Sequence, residues 1–340
     1  MKFSIIIPVY NRPDEIKELL ESLLQQTDKA FEVIVVEDGS TLKSEDICAQ
    51  YADRIDIKYF YKKNEKPAIA RNYGMARASG DFFVFFDSDC IIPPHYFQTI
   101  RKELTKNYVD AYGGPDRAHD SFNTLQKSIS YSMTSFLTTG GIRGGGEKVD
   151  KFYPRSFNLG LSKKIFEEMG GFPVIKMHPG EDMVLAIELI KRGYTTRLIK
   201  DAFVFHKRRT SLKQFYAQVF RFAKTRVIMS KIYPHTFKIF YTFPSLFLLG
   251  MPLLLILSYW SLLFIVPVAL FVLLIFLDSL AKNKSLAVAF NSIISSFYQQ
   301  FAYGMGFLKT AIEVHFLKYD EFNVFKTKFY QEQHTAEIKN

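Results

Sequence analysis

Between Phe237 and Leu277 the chain carries one charge, Lys238, in a run dominated by Leu, Phe, Ile and Val. A helix rises about 1.5 Å per residue, so roughly 20 apolar residues cross the hydrocarbon of a bilayer. The run is too long for one crossing and suits two, with Tyr259, Trp260 and Ser261 as the turn between them. Tyr and Trp favour the headgroup level, where such a turn would sit. A buried helical hairpin of a large soluble core is the alternative, but such helices seldom stay uncharged on every side for this distance. The expectation is a transmembrane hairpin over 239–281.

The residues before the hairpin are strongly basic. From His206 to Lys238 there are nine Lys or Arg, Lys207, Arg208 and Arg209 among them, and no Asp or Glu, within a chain whose formal charge is +10. Basic residues beside a first crossing keep that side in the cytosol and attract anionic headgroups by about 1 kcal/mol each. Segment 225–238 therefore reads as a juxtamembrane girdle, with the larger preceding domain on the cytoplasmic face. Nucleic acid is not expected as a partner, because no recognised module accompanies the charge. A third apolar stretch within 285–316 is uncharged from Leu286 to Leu308 but rich in Ser, Asn and Gln. It either crosses or lies along the interface, and Ala302 and Gly306 would let a helix of the hairpin approach closely. Residues 317–340 read as a cytosolic or flexible tail. Phe3–Val9 is short and runs into Asn11, Arg12, Pro13, Asp14 and Glu15, so it reads as a strand and not as a secretory signal. Two cysteines, Cys48 and Cys90, cannot make a disulfide framework, and a reducing compartment fits them best.

Residues 1–224 alternate strand and helix. Phe3–Val9 is a β-branched apolar run, and Ile16, Leu19, Leu20, Leu23 and Leu24 follow at helical spacing. The pattern repeats through strands at Glu32–Val36 and Ile55–Tyr61, helices at Ser44–Tyr51 and Pro67–Ala78, and a strand at Phe82–Phe86. Strands apolar at consecutive positions are covered on both faces, which predicts a mostly parallel sheet in an α/β domain. Ligands of such sheets bind beyond the carboxyl ends of the strands. Those ends carry Pro8, Tyr10 and Asn11, then Glu37 and Asp38, then Asp87, Ser88 and Asp89. Four carboxylates on one crevice would repel one another unless a divalent cation or basic groups neutralised them. Asp87 and Asp89, one residue apart at a strand end, can reach one hard cation through oxygen; a solvated turn is the bland alternative.

In order, the segments SIIIPVYNRP, VIVVEDGS, ARNYGMARASGDFFVFFDSD, GGF and GEDMVLAIELIKRGY resemble the family 2 glycosyltransferases. The resemblance covers roughly Met1 to Lys224. It implies a GT-A fold, Rossmann-like with helices on both faces of the sheet, joined here to a C-terminal helical membrane hairpin. It also implies an inverting reaction that uses nucleotide-diphosphate sugars. On this resemblance Asp87 and Asp89 correspond to the DxD motif that places Mg²⁺ or Mn²⁺ on the donor diphosphate. Asp38 would bind the base, with Glu37 placed to reach the ribose, and Arg71 and Asn72 of the ARN segment would meet phosphate. Asp182, following Glu181 in the ED motif, would be the general base, and the helix it opens should keep it ionised. His206 would supply a metal or phosphate contact, or stand as a plain surface histidine. Gln218, Arg221 and Phe222 in QVFRF look like the QxxRW signature of processive members and would orient the acceptor sugar, or else form an amphipathic interfacial helix. Asn158, in FNLGLS, falls on the family's acceptor-side strand. The glycines around Arg143 lack the ending of a P-loop and read as an acceptor flap or a linker.

The combined expectation is a membrane-anchored transferase that moves a sugar from a UDP-sugar to a lipid-linked saccharide acceptor in cell-surface polysaccharide synthesis, with Mn²⁺ or Mg²⁺ as cofactor. A polyprenyl-monophosphate glycosyltransferase and a non-catalytic nucleotide-sugar-binding scaffold are the alternatives.

Overall fold

The computed structural model describes residues 1–140, 153–175 and 179–317. The glycine-rich loop around Arg143 and most of the expected tail lie outside the described residues. In chain order the elements are β1 (Phe3–Val9), α1 (Pro13–Leu24), β2 (Phe31–Asp38), α2 (Glu45–Ala49), β3 (Ile57–Lys62), α3 (Pro67–Met75), β4 (Phe82–Phe86), β5 (Cys90–Ile91), α4 (Tyr96–Lys106), β6 (Ala111–Gly113), β7 (Asp116–Arg117), α5 (Thr124–Thr134) and α6 (Phe136–Thr139). They continue with β8 (Asn158–Ser162), α7 (Lys163–Met169), α8 (Glu181–Lys191), β9 (Thr196–Leu198), β10 (Val204–His206), α9 (Leu212–Ile232), α10 (Phe243–Leu257), α11 (Val266–Asn283) and α12 (Leu286–His315). The described residues divide into two compact units, 1–117 with 153–206 and 118–140 with 207–317.

The first unit is built on a seven-stranded sheet of order β3-β2-β1-β4-β8-β6-β9, in which β8 alone runs antiparallel to its neighbours. Alternate residues of the central strands feed two cores on opposite faces. Ile5, Ile7, Val33, Val35, Val84 and Phe86 pack with α1 and α4, whereas Ile6, Ile34, Val36, Phe83 and Phe85 pack with α3, α7 and α8. The helix pattern anticipated for α1 is explained by Ile16, Leu19, Leu20 and Leu23, all buried, with Pro13 in its first turn and Asp14 and Glu15 beside its positive end. Pro8 is tolerated inside β1 because pairing with β4 runs only from Phe3 to Ile6. The order reverses at β1, so the crevice beyond β1 and β4 is the switch point of the sheet. A second, three-stranded sheet of order β5-β10-β7 begins with β5 just past β4 in sequence, and its β10 aligns His206 with Cys90.

In the second unit the expected boundary at residue 224 falls inside α9, a continuous 21-residue helix. Two helical spans, Ile239–Leu257 and Leu262–Asn283, are long and apolar enough to cross a membrane, and only 11% of either apolar window is buried. Tyr259, Trp260 and Ser261 fall at the break between them.

At the amino ends of the strands Glu32 is sealed by three segments. Its carboxylate accepts from Ser4 Oγ at 2.6 Å, Ser79 N at 2.6 Å and Lys58 Nζ at 2.7 Å. Burial alone would raise its pKa, but the Lys58, Ser4 and Ser79 donors overcome this and lower it to about 2 from 4.5. The charge therefore stabilises the fold above pH 4.5, and that contribution is lost as pH falls through about 2. Glu32→Gln should cost about 3 kcal/mol at neutral pH in a urea titration. The difference from the parent should narrow below pH 4.5, and a pH-independent difference would refute the assignment.

Candidate functional site

The carboxyl ends of β2 and β4 carry the strand-end acids, and Asp38, Asp87 and Asp89 each have a basic partner. Asp38, almost fully buried, accepts from Lys62 Nζ at 2.9 Å and Glu65 N at 3.0 Å. Asp87 accepts from Arg71 Nη2 at 2.8 Å. Asp89 accepts from Arg12 Nη1 at 2.6 Å through one oxygen and lies 3.0 Å from His206 Nε2 through the other. Burial alone would lower the Arg12 pKa, yet Asp89, Glu15 and Asp87 together raise it. Three acids are thus held in place by Lys62, Arg71, Arg12 and His206 together with the backbone that frames them.

Arg71 is the residue that joins the two halves of this site. It is 2% exposed, packs over the Phe172 ring at 5.3 Å, and also donates to Glu181 Oε1 at 3.3 Å. A solvated helix face is therefore excluded for it. Arg71 spans the strand-end Asp87 and the first residue of α8, next to Asp182. Asp182 is half-buried and accepts from Met183 N at 2.8 Å. Its pKa is raised above the ordinary 3.8, first by burial and then by the Glu181 charge, with the Met183 N–H, Arg155 and Arg71 opposing. The helix end favours the ionised form, but burial outweighs it and pushes the group upward.

Asp89, Cys90 and His206 offer ligand atoms within 4.8 Å of one another, a group that could hold a metal ion. The antiparallel register of β10 on β5 brings His206 there, and Phe157 stacks on its ring at 4.8 Å. Cys90 is a poor donor, since burial first and then Asp89 and Asp87 push its pKa well above the usual thiol value. The Asp89 carboxylate is a hard oxygen donor of the kind that suits Mg²⁺ or Mn²⁺, while the His206 imidazole is the softer donor, so the pair fits a divalent cation without choosing the ion. Asp87, two residues before Asp89, is outside this group and is engaged by Arg71.

Several expected ligand residues hold the frame instead. Glu37 is fully buried, accepts from Ser40 Oγ, from Ser44 N at 2.8 Å and from Tyr59 OH at 3.3 Å, and so shapes the loop after β2. Asn11, at φ 53°, accepts through Oδ1 from Thr41 N and Leu42 N at 2.9 Å each, tying the first loop to the second. Asn72 exchanges two 2.8 Å bonds with the backbone of Phe172, clamping the GGF segment. Gly171 has φ 92°, and a Cβ there would come within 2.6 Å of Asn72 Oδ1, so glycine is required. Asn158 is fully buried, accepting from Tyr96 OH at 2.6 Å and donating to Ala202 O at 2.8 Å. Both ends of its amide are occupied within the core, which corrects its expected acceptor role. Tyr10 is exposed and Ser88 buried. Of the QVFRF residues, Arg221 is exposed and donates to Ala217 O in its own helix, Gln218 is half-buried, and Phe222 packs on a cluster with Phe215 and Val219. Ile129 and Met133 of α5 and Ala302 of α12 complete that cluster, so the apolar face of α9 is packed within the protein.

Residues 4–170 match the family model described as glycosyl transferase family 2. This stretch is a glycosyl transferase family 2 domain. A glycosyltransferase of Rickettsia conorii is 48% identical over 143 residues, 42% of this chain and 23% of that protein. Glycosyltransferase GlyA of Streptococcus pneumoniae is 31% identical over 178 residues, 51% of this chain and 23% of that protein. The chain thus spans less than a quarter of the length of these two relatives. Among solved structures, the mannosyltransferase PcManGT of Pyrobaculum calidifontis, in complex with GDP-Man and Mn²⁺, has a TM-score of 0.60 at 18% identity over 92% of this chain and 88% of its own. The S. aureus TarS 1–349 complex with UDP-GlcNAc has a TM-score of 0.50 at 22% identity over 67% of each chain. Both likenesses establish the GT-A fold of the family 2 domain.

Arg12 and Phe157 were not singled out from sequence. Arg12 directly follows Asn11 in the switch-point loop, a signal that was available, whereas Phe157 becomes relevant only once β10 pairs with β5. The Asn158→Ala variant should lose about 2–4 kcal/mol in chemical denaturation, because Tyr96 OH and the Ala202 carbonyl are left buried without partners. A loss below about 0.5 kcal/mol would mean the pair is not carried by Asn158.

Proposed function

We propose that the chain is a membrane-anchored, metal-dependent inverting glycosyltransferase that moves a sugar from a nucleotide-diphosphate sugar to a lipid-linked saccharide acceptor. The observation that carries the reading is Arg71, which ties the donor-side Asp87 to the Glu181–Asp182 pair that opens α8. The family match and the fold support the reaction class. The donors bound by TarS and PcManGT, UDP-GlcNAc and GDP-Man, support a nucleotide-sugar without choosing its base; a UDP-sugar is our proposal.

In this reading Asp38 accepts a hydrogen bond from the base, and Asp89 with His206, together with Asp87, would hold Mn²⁺ or Mg²⁺. The ion, when bound, offsets negative charge on the departing diphosphate. Asp182 takes the proton of the acceptor hydroxyl as that oxygen attacks the anomeric carbon on the side opposite the diphosphate. Its raised pKa suits the task, since a base nearer neutrality accepts a proton more readily. Arg71 keeps Glu181 from adding its full charge beside the base and is placed to turn towards a phosphate when Asp87 engages a cation.

The apolar hairpin and the basic girdle support anchoring with the catalytic domain on the cytoplasmic face, beside anionic headgroups. An acceptor carrying a diphosphate and a polyprenyl tail has the charge and the apolar length that such a setting favours. Cell-surface polysaccharide synthesis is the setting proposed for such an acceptor.

The test uses the full chain in lipid nanodiscs with a panel of UDP- and GDP-sugars and Mn²⁺, reading release of nucleoside diphosphate. Asp182→Asn should lower kcat by at least about 100-fold while leaving donor affinity within a few-fold; near-normal kcat would remove Asp182 from the role. The acid limb of the parent's pH–rate profile should lie above 3.8, the ordinary value for an aspartate. Chelation should abolish turnover, and Asp89→Asn should require much more Mn²⁺ to restore it. Full activity in chelator would overturn the metal assignment.

A further inference from the structure

Helix α12 turns its polar side inward and its apolar side outward. Ser292, Ser295 and Ser296 are fully buried, and Gln299 and Gln300 nearly so. Ser292 meets Ser279 of α11 at 2.8 Å, Ser295 donates to Ser128 O at 3.0 Å, and Gln300 donates to Thr138 O at 2.8 Å. On the opposite side Leu286, Phe290, Ile294, Tyr298, Met305 and Ile312 recur at four- and seven-residue spacing and are 39–60% exposed. No charge occurs from Leu286 to Leu308. A surface helix in water shows the reverse distribution.

The path of α12 decides how this face is used. Leu286 follows α11 after only Lys284 and Ser285, so it starts at the base of the hairpin. Along its middle, Phe290 meets Phe276 at 4.9 Å, and Phe297 meets Phe271 at 5.7 Å and Phe247 at 5.6 Å. A Cβ on Gly304 would come within 2.4 Å of Pro244 O, at the start of α10. Gly306 is pressed on α9 in the same way, 2.6 Å from Phe220 O. At its end the Val314 carbonyl accepts from Lys231 Nζ at 3.0 Å, one turn before α9 leads into the hairpin. These contacts fall on 244–248 and 271–279 of the hairpin, away from its tip. Both ends of a 30-residue helix, about 45 Å long, are therefore tied to the same end of the hairpin.

We propose that α12 does not cross the bilayer but lies along its surface at the base of the hairpin, with the Leu286–Ile312 face in contact with acyl chains. Lipid is the occupant because this face is continuous, through the Phe276–Phe290 and Phe247–Phe297 contacts, with the exposed apolar hairpin. Lys282 and Lys284 at its start and Lys309 near its end stand where headgroup phosphates would be. The chain then crosses twice, and the bilayer fixes the α5, α9 and α12 layer as well as the hairpin. This inference rests on the membrane reading made above.

Spin labels at single cysteines test it in the full chain, in vesicles of phosphatidylcholine and phosphatidylglycerol. The sites are Phe290→Cys, Tyr298→Cys and Ile312→Cys on α12, with Leu253→Cys and Leu270→Cys on the hairpin. Cys48 and Cys90 are buried and should not label. Relaxation by oxygen against a water-soluble nickel chelate gives depth. The α12 sites should share one shallow depth, and the hairpin sites should be deeper. A depth that passes through the bilayer centre between 290 and 312 would mean a third crossing and would overturn the proposal. So would α12 labels that are immobilised and shielded from oxygen, the signature of a second copy or another protein on this face. Hairpin labels open to nickel would instead defeat the membrane reading itself.

Discussion

Negative charge gathered at the carboxyl ends of parallel strands is the constraint from which the rest of the site follows. Two unit charges 4 Å apart interact by about 4 kcal/mol at the effective dielectric of a protein surface, so Asp38, Asp87, Asp89 and Glu181 need close compensation. Lys62, Arg71 and Arg12 provide it, with Arg71 serving two of the acids, and His206 Nε2 stands 3.0 Å from Asp89. The compensation is local and comes from elements already fixed by packing: α3 carries Arg71, the loop after β1 carries Arg12, and β10 carries His206. Such pairs hold each carboxylate in a defined orientation. A buried pair that loses one member leaves an uncompensated charge costing about 3–5 kcal/mol, which makes the arrangement specific as well as tight.

The fold delivers these groups through two simple devices. Parallel strands place every loop after a strand on one edge, and the reversal of strand order at β1 opens a crevice there. The short β5-β10-β7 sheet then returns the chain to the turn that follows β4, bringing His206 beside Asp89 across 117 positions of sequence. Glu37, Asn11 and Asn72 spend their side chains on the loops that border the crevice. Their chemistry is that of polar residues near a ligand, but their geometry is that of struts.

Much of this was legible in the residues themselves. Consecutive burial in Phe82–Phe86, the helical spacing in α1 and the strand-end acids are periodic or local signals, and the GT-A architecture follows from them together with the family resemblance. Partner choice was harder to read. Nothing local distinguishes Asn158, whose amide is used by Tyr96 and Ala202, from an asparagine that faces a ligand, because both partners lie more than 40 positions away. For Glu37 the two serines are local, in the loop that follows β2, but Tyr59 becomes a neighbour only after β2 pairs with β3. The direction of the Asp182 shift depends on burial, which helix position alone does not reveal. The third apolar stretch was ambiguous for a related reason: its serines and glutamines gain meaning only when α5 and α11 are seen to cover them.

The helical unit extends the same logic to a different solvent. Ser292, Ser295 and Gln300 are paired inside, a row of α12 apolar residues faces outward, and glycines at 304 and 306 set the approach of α10 and α9. In the proposed account this unit holds a cytoplasmic transferase domain at the lipid surface, where a tailed acceptor is found. The account as a whole depends on the Asp87–Asp89 turn and His206 being the seat of a divalent cation. Electron–nuclear double resonance of bound Mn²⁺ with a nucleoside diphosphate, on protein labelled with ¹⁵N-histidine, tests this most directly. The account predicts coupling to one histidine nitrogen that disappears in His206→Gln, whereas Mn²⁺ bound without any histidine coupling would contradict it.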